Sequence, residues 1–429
     1  MKNYKKRIAD RLLKEKLEIM GAVLIEGPKW CGKTTTAEQI AGSVLYVDEP
    51  SKKEQNKRIA RLNPKLLLKG TTPRLLDEWQ EAPELWDAVR FEVDHRDDGL
   101  GQFILTGSAV PLDKEGRYKI SHSGTGRFGW LIMRPMSLFE SGESNGTVSL
   151  NDDLFKSNLD LASVNNLSLE DIAKCICRGG WPRATMIDSD NALKIAGEYI
   201  TAIANIDISR VDNVKRDPEF TKRLMRSYAR NQGTQSSMAT IYSDIVVHDT
   251  ESLRLDTVTS YVNALKKLYV IEDMLAWNPN LRSKTAIRTS DTRYFVDPSI
   301  ATASLGLGPQ DLINDIKTMG LIFETLVIRD LRVYAEANNG VLYHYRDKSG
   351  LECDAVICLK NGSYGLIEIK IGGEDEISNG VITLKELSKK IDVDKMKAPS
   401  FMAVVTAVGD YAYRGEDGVY VVPVGCLKD

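Results

Sequence analysis

Gly27-Pro-Lys-Trp-Cys-Gly-Lys-Thr34 spaces two glycines, a lysine and a threonine as GxxxxGK[ST]. In that pattern the backbone N–H groups of the loop face phosphate oxygens, Lys33 neutralises the terminal phosphates and the Thr34 hydroxyl reaches a magnesium ion. Gly27, Pro28, Lys29, Trp30, Cys31, Gly32, Lys33, Thr34 and Thr35 are therefore the expected contacts of ATP. Further on, Asp77 and Glu78 end the stretch Pro73-Arg-Leu-Leu. Asp77 is expected to hold the magnesium through water, and Glu78 to orient and deprotonate the attacking water, the two tasks set by phosphoryl transfer to water. Gln102-Phe-Ile-Leu-Thr-Gly-Ser108 is an apolar strand finishing in small hydroxyls, which makes Thr106 and Ser108 candidates to sense the terminal phosphate. Arg127, in Ser-Gly-Thr-Gly-Arg, is a candidate to act on nucleotide in its own or a neighbouring subunit.

A second set of charges lies near the other end, in Asp354-Ala-Val-Ile-Cys-Leu-Lys-Asn-Gly-Ser-Tyr-Gly-Leu-Ile-Glu-Ile-Lys370. Asn361-Gly362 is a hairpin turn signal. Alternation along the second strand puts Leu366, Glu368 and Lys370 on one face and Ile367, Ile369 and Ile371 on the other. With Asp354 ending the partner strand on the charged side, two acids and a lysine converge, and Glu324 from the preceding helix can join them. Carboxylates gathered at one point call for a cation, which magnesium or manganese supplies through oxygen ligands. The lysine can then orient a water or stabilise charge on a phosphate, as metal-dependent phosphodiester cleavage requires. Charges on a solvated edge strand are the alternative reading.

The elements that must position these residues are legible around them. Ala22-Val-Leu-Ile-Glu26 reads as the strand before the glycine loop and TTTAEQIAG as the helix after it; VLYVD48 and FGWLIMRP add strands, predicting a five-stranded parallel sheet. Ser141 to Asp153 is polar and aperiodic and reads as a linker or exposed loop near a domain boundary. Three helical stretches follow, EFTKRLMRSYARNQG, SSMATIYSDI and LRLDTVTSYVNALKKL, the last running into a strand, which is the winged-helix pattern. There Arg254, Thr259 and Ser260 are placed to reach DNA, Lys222, Arg223 and Arg226 to contact phosphates, and Leu255, Val258, Val262, Leu265 and Leu268 to form a buried face. A protein-contact or lid module has the same pattern. From Thr292 the composition returns to strands, beginning with RYFVDPSIATA, before the helix TMGLIFETLVIRDLRVYAEAN.

Composition bounds these readings. A chain of 429 residues holds two or three domains. With 42% hydrophobic and 27% charged residues it is ordinary for a soluble protein. No apolar run approaches the roughly 20 residues that span a bilayer, and the N-terminus mixes acids with bases unlike a signal peptide, so no membrane partner and a cytoplasmic location are expected. Six scattered cysteines and four single histidines exclude the usual zinc spacings. A net charge of −3 excludes a general polyanion binder, so any DNA or RNA contact must come from a local basic face.

The set GPKWCGKTTTA, LLDEWQEAPELWDAVR, FILTGS and GR with RPMSLFE resembles the N-terminal ATPase domain of a prokaryotic AAA+-type family whose members end in a DUF4143 domain; RGGWPRA (Arg178 to Ala184) resembles that family's glycine-rich connector. Trp79 departs from the smaller aliphatic residue usual after the acid pair. Glu324, Asp354 and Glu368-Ile-Lys370 resemble the acidic helix residue, the acid and the ExK of the PD-(D/E)xK nuclease superfamily. The motifs, the element pattern and these resemblances together imply an α/β protein: a P-loop parallel-sheet ATPase domain over residues 1–140, a helical connector and winged-helix domain over 141–290, and a C-terminal restriction-endonuclease-like α/β domain over 291–429. They imply ATP and Mg2+ as cofactors, a second Mg2+ or Mn2+ site at Glu324, Asp354 and Glu368, ATP-dependent work on DNA or RNA, and a homo-oligomer as one arrangement. The other reading is a nucleotide-controlled switch whose C-terminal fold is a non-catalytic platform.

Overall fold

The computed structural model describes residues 4–107, 124–158, 163–246, 254–278 and 290–429. The chain divides into two units, residues 1–135 with 205–216 and 263–269, and residues 136–204 with 217–262 and 270–429. The first begins with helix α1 (Ile8–Ile19), followed by strand β1 (Ala22–Glu26), α2 (Lys33–Glu38), β2 (Ser43–Tyr46), α3 (Lys53–Leu62), β3 (Arg74–Asp77), α4 (Glu84–His95), β4 (Phe103–Thr106) and β5 (Phe128–Ile132). Uninterrupted apolar runs such as Val23-Leu24-Ile25 and Phe103-Ile104-Leu105 are buried from both sides, as parallel strands between helices require. The sheet order is β2-β3-β4-β1-β5 and every pairing is parallel.

Strand β4 lies between β1 and β3, with Thr106 in register with both Ile25 and Asp77. The carboxyl ends of three strands thus meet at one edge, where open α/β sheets bind ligands. Leu24, Leu76, Leu105, Trp86 and Val89 build one core under that edge. Trp79 belongs to the same core, 1% exposed and 5.1 Å from the Trp86 ring, so the unusual residue after the acid pair fills volume. Helix α2 is shorter than TTTAEQIAG suggested: it ends at Glu38. Three consecutive β-branched threonines are weak helix formers, and β2 opens five residues later.

The second unit contains short elements α5 (Leu138–Ser141), β6 (Val148–Ser149) and β7 (Ser163–Val164), then α6 (Leu169–Arg178) and α7 (Ile195–Ala202); α8 (Ile208–Arg210) lies in the segment belonging to the first unit. Three helices follow, α9 (Pro218–Arg230), α10 (Met238–Val246) and α11 (Leu255–Lys267), with antiparallel bridges Ile271↔Phe295 and Met274↔Thr292 after them. Val258, Val262, Leu265 and Leu268 are buried, but Leu255 is 42% exposed because it occupies the first position of α11. Pro298–Leu305 is helix α12 rather than strand: Asp297 caps it by accepting from the Ser299 N–H, and Pro298 takes the first helical position, where no N–H is needed.

After α13 (Pro309–Asn314) the chain runs α14 (Ile316–Ala337), β8 (Gly340–Arg346), β9 (Glu352–Leu359), β10 (Tyr364–Lys370), α15 (Glu374–Lys390), β11 (Phe401–Thr406), β12 (Tyr411–Arg414), β13 (Tyr420–Pro423) and β14 (Leu427–Lys428). Its sheet is ordered β7-β12-β13-β11-β10-β9-β8; β8, β9 and β10 form an antiparallel meander and β10, β11 and β13 pair in parallel. Leu366, Val356, Val404, Leu384 and Leu387 join the sheet to α15.

The segment from Ser141 to Asp153 is not an exposed linker. Val148, Ser149, Leu150 and Leu154 are buried, β6 pairs with β14, and the Ser144 hydroxyl donates to the Leu427 carbonyl at 2.6 Å. A buried ionic network fixes the connector nearby. Arg329, 2% exposed, pairs with Asp297 at 3.1 Å and Asp330 at 2.8 Å. Asp297 also accepts from the Gly180 N–H at 2.9 Å, and Asp330 from the Leu138 N–H at 2.9 Å. Gly180 must be glycine here, since a Cβ would stand 2.1 Å from the Met136 carbonyl oxygen.

Candidate functional site

The loop between β1 and α2 takes its shape from three residues of positive φ, Gly27 at 144°, Trp30 at 66° and Gly32 at 100°. At Gly27 a Cβ would stand 2.0 Å from the Met133 carbonyl oxygen, so the loop approaches the backbone after β5 too closely for any side chain. Trp30 adopts the left-handed region with no such relief and is 48% exposed. Cys31 is fully buried and its thiol donates to the Met133 carbonyl at 3.3 Å. Lys33 is 8% exposed and donates to the carbonyls of Gly27 and Pro28, both at 2.9 Å, so its charge is held within the loop it serves. Lys29 pairs with Asp207 at 2.6 Å. Pro28, Thr34 and Thr35 complete the run.

Asp77 gathers the other polar groups. Its Oδ1 accepts from the Thr34 hydroxyl at 2.7 Å and from the Thr106 hydroxyl at 2.6 Å. Burial pushes the Asp77 carboxyl above its ordinary range, and the two hydroxyls pull it part of the way back. Thr34 and Asp77 present hard oxygen donors within hydrogen-bond distance of one another, a donor set that suits magnesium. Glu78 stands beside them with φ 54°, a strained backbone for a residue with a side chain. Its carboxyl is also raised, by burial first and then by the Asp77 charge. Gln80 Nε2 donates to Glu78 Oε2. Nothing local in the sequence marks Gln80 for this contact beyond its place two residues on.

Arg127 is not brought into this group. It precedes β5, with its carbonyl accepting from the Ala22 N–H, and therefore sits at the amino end of the sheet. The loop of residues 27–34 leaves the carboxyl end, about 16 Å away at 3.3 Å per residue along β1. Arg127 instead pairs with Asp94 at 2.8 Å. Ser108 lies outside the described residues.

In the second unit the Asn361-Gly362 turn joins β9 to β10, whose register pairs Leu366 with Val356 and Ile367 with Ala355. Continued by one step, it sets Glu368 across from Asp354. Lys370 Nζ donates to Glu368 Oε2 at 2.6 Å and lies 3.4 Å from Asp354 Oδ2, while the Ile369 N–H donates to that same Asp354 oxygen at 2.7 Å. Burial and the Asp354 charge push the Glu368 carboxyl up to about 8. Burial alone would lower the Lys370 ammonium, but the two carboxylates outweigh it and raise it. Glu324, on α14, is raised well above the ordinary carboxylate range by burial and by Asp354, and accepts a hydrogen bond from the Tyr294 hydroxyl. No local sequence signal points to Tyr294, which lies 30 residues from Glu324. Among the described residues no group of three or more His, Cys, Asp or Glu side chains is arranged to hold a metal ion. None of the described helices is long and apolar enough to cross a membrane.

Comparison with known proteins assigns three stretches. Residues 20–141 match the model of an AAA domain, residues 169–311 a domain of unknown function, DUF8612, and residues 319–427 a domain of unknown function, DUF4143. No curated protein matches the chain. Among solved structures, the Walker-type ATPase PABY2304 of Pyrococcus abyssi is similar at 16% identity, covering 69% of this chain and 94% of that one, with a TM-score of 0.39. The ORC1 protein of Aeropyrum pernix in complex with DNA is similar at 15% identity, covering 71% and 93%, with a TM-score of 0.23. The chain thus carries a P-loop ATPase domain of the AAA type and, toward its other end, a DUF4143 domain.

Proposed function

We propose that the protein hydrolyses magnesium ATP at residues 27–34 and couples this to metal-dependent phosphodiester chemistry on DNA or RNA at its C-terminal sheet. The observation that carries the ATPase reading is the shared Asp77 oxygen, which gathers the hydroxyls of Thr34 and Thr106 beside Glu78. Lys33, held on the Gly27 and Pro28 carbonyls, turns its remaining N–H to the terminal phosphates. Bound magnesium would supply positive charge to those phosphates, held by Thr34 and, through water, by Asp77. Glu78 takes the proton of the attacking water on its carboxylate, and Thr106 reports the terminal phosphate to Asp77. Arg127, at the opposite end of the sheet from the loop, would act on a neighbouring subunit's nucleotide rather than its own.

The nucleic-acid part is supported by the order α14-β8-β9-β10-α15-β11 and by the convergence of Asp354, Glu368 and Lys370 on one strand pair. Asp354 and Glu368 would hold a magnesium or manganese ion, Glu324 would support them, and Lys370 would orient the water. The helices α9 to α11 with the bridged pair after them support a winged-helix reading. There Lys222, Arg223 and Arg226 would contact phosphates, and Arg254, Thr259 and Ser260 would approach bases. One observation favours the switch reading instead: Lys370 already pairs with both carboxylates, occupying the oxygens a metal ion would take.

Two assays decide. Lys33→Ala should abolish tight ATP binding, whereas Glu78→Gln should bind ATP and lose about 100-fold or more in turnover. Equal ATP affinity in wild type and Lys33→Ala refutes the ATPase assignment. For the C-terminal cluster, calorimetry with manganese should show binding that Asp354→Ala removes, together with magnesium- or manganese-dependent cleavage of DNA or RNA lost in Asp354→Ala and Lys370→Ala. Manganese binding without cleavage supports the switch; no difference between wild type and Asp354→Ala makes the cluster structural.

A further inference from the structure

The amide groups of a phosphate-binding loop face outward, so its carbonyls face the protein and need partners there. Lys33 serves two of them, at Gly27 and Pro28, which leaves the third N–H of its ammonium for a phosphate. The Cys31 carbonyl is served differently. Arg7, 6% exposed and 24 residues before the loop's cysteine, donates through Nη1 to that carbonyl at 2.8 Å. Its Nη2 donates to the Arg134 carbonyl, also at 2.8 Å, just after β5. One planar guanidinium thus ties the loop to the backbone beyond the neighbouring strand, with a fork geometry a lysine lacks.

The aim of Arg7 is itself fixed. It stands at the start of α1 with an extended backbone, φ −111° and ψ 148°. Its N–H donates to Asp10 Oδ2 at 2.8 Å, and the Asp10 N–H returns a bond to the Arg7 carbonyl at 3.0 Å. The Tyr4 hydroxyl donates to Asp10 Oδ1 at 2.6 Å and lies 2.9 Å from the Thr36 hydroxyl on α2. The first turn of α1 is therefore braced against the loop on one side and the following helix on the other.

We propose that Arg7 is a positioning residue of the nucleotide site, holding the Cys31–Gly32 peptide so that the Gly32 N–H is presented to phosphate. In a trans peptide the C=O and the following N–H lie in one plane and point opposite ways, so fixing the Cys31 oxygen from inside fixes the Gly32 N–H outward. This bond need not break when nucleotide binds, because the guanidinium lies on the protein side of the loop. It also sets a buried positive charge behind a loop that receives a polyanion. The proposal rests on reading residues 27–34 as the ATP loop.

The test uses the full chain and ADP, which avoids turnover, with calorimetry and the nucleotide-induced rise in Tm as readouts. Arg7→Met should weaken ADP binding by about tenfold or more, the scale of one charged hydrogen bond, and should raise KM for ATP more than it lowers kcat. Arg7→Gln, which keeps one donor, should fall between Arg7→Met and wild type. If Arg7→Met does not fold, Arg7→Gln and Asp10→Asn carry the test, each showing weaker ADP binding with an unchanged circular dichroism spectrum. Variants that are less stable yet bind ADP with wild-type affinity and show an undiminished Tm rise overturn the proposal, since a purely structural arginine behaves that way. Wild type that binds no ADP refutes the nucleotide reading itself, a separate outcome.

Discussion

Arg329→Met isolates the ionic network behind the glycine-rich connector. The substitution keeps an unbranched chain of similar reach but leaves the buried Asp297 and Asp330 without their cation. Breaking such a pair from one side costs about 3–5 kcal/mol. At about 2–4 °C per kcal/mol, the melting temperature should drop by roughly 6–20 °C at pH 7.5. The loss should also depend on pH. Asp330 is already pushed up to about 6 by burial, against the pull of Arg329 and the Leu138 N–H. A carboxyl raised in the fold contributes stability below its unfolded value and loses it as pH rises through its folded value. Without Arg329 that folded value moves higher, so the variant should be penalised most near neutrality and much less at pH 5. Thermal unfolding of both proteins at pH 5.0, 6.0 and 7.5 reads this directly. A deficit of the same size at all three values would mean that lost packing, rather than uncompensated charge, explains the effect, and the ionic argument would be wrong.

Three further outcomes follow from the geometry. Because burial and Asp77 raise the Glu78 carboxyl, ATP turnover should fall on acidification while pH is still above the ordinary carboxylate range; kcat measured from pH 5 to 8 checks this, and an acid limb that survives unchanged in the residual activity of Glu78→Gln belongs to another group. Gly180→Ala forces a methyl to 2.1 Å from the Met136 carbonyl oxygen and should destabilise by about 1–3 kcal/mol, seen in denaturant unfolding; a neutral result would show that the connector has room to shift. Removing Lys222, Arg223 and Arg226 together should flatten the dependence of log affinity for DNA on log salt by up to about 2.7, at roughly 0.9 per phosphate contact, whereas an unaltered slope would exclude α9 from the contact.

The nucleotide half of the molecule is legible in the chain because its parts are local: a strand, a glycine loop and a threonine within 13 residues, then acids at the end of an apolar run. What brings Thr34, Asp77 and Thr106 to one oxygen is the placing of β4 between β1 and β3, which no segment records by itself. Arg127 shows the limit from the other side, since a glycine-rich loop reads alike at either end of a sheet. The charged hairpin was readable through its turn and alternation, but Tyr294 and Gly233 beside Glu324 come from distant segments. The polar stretch from Ser141 to Asp153 reads as a linker because its burial depends on strand β14, nearly three hundred residues later.

That long-range pairing bears on how the chain is made. The Ser144 hydroxyl waits for a carbonyl 283 residues downstream, and the Asn145 N–H for that of Gly425. At roughly 5–20 residues per second, a ribosome needs about 15–60 s to supply them. Through that interval the strand formed by Val148 and Ser149 has no partner, while the segments of β1 to β5 have all emerged. An added residue or truncation near Leu427 would be felt first at Val148, far away in order of synthesis.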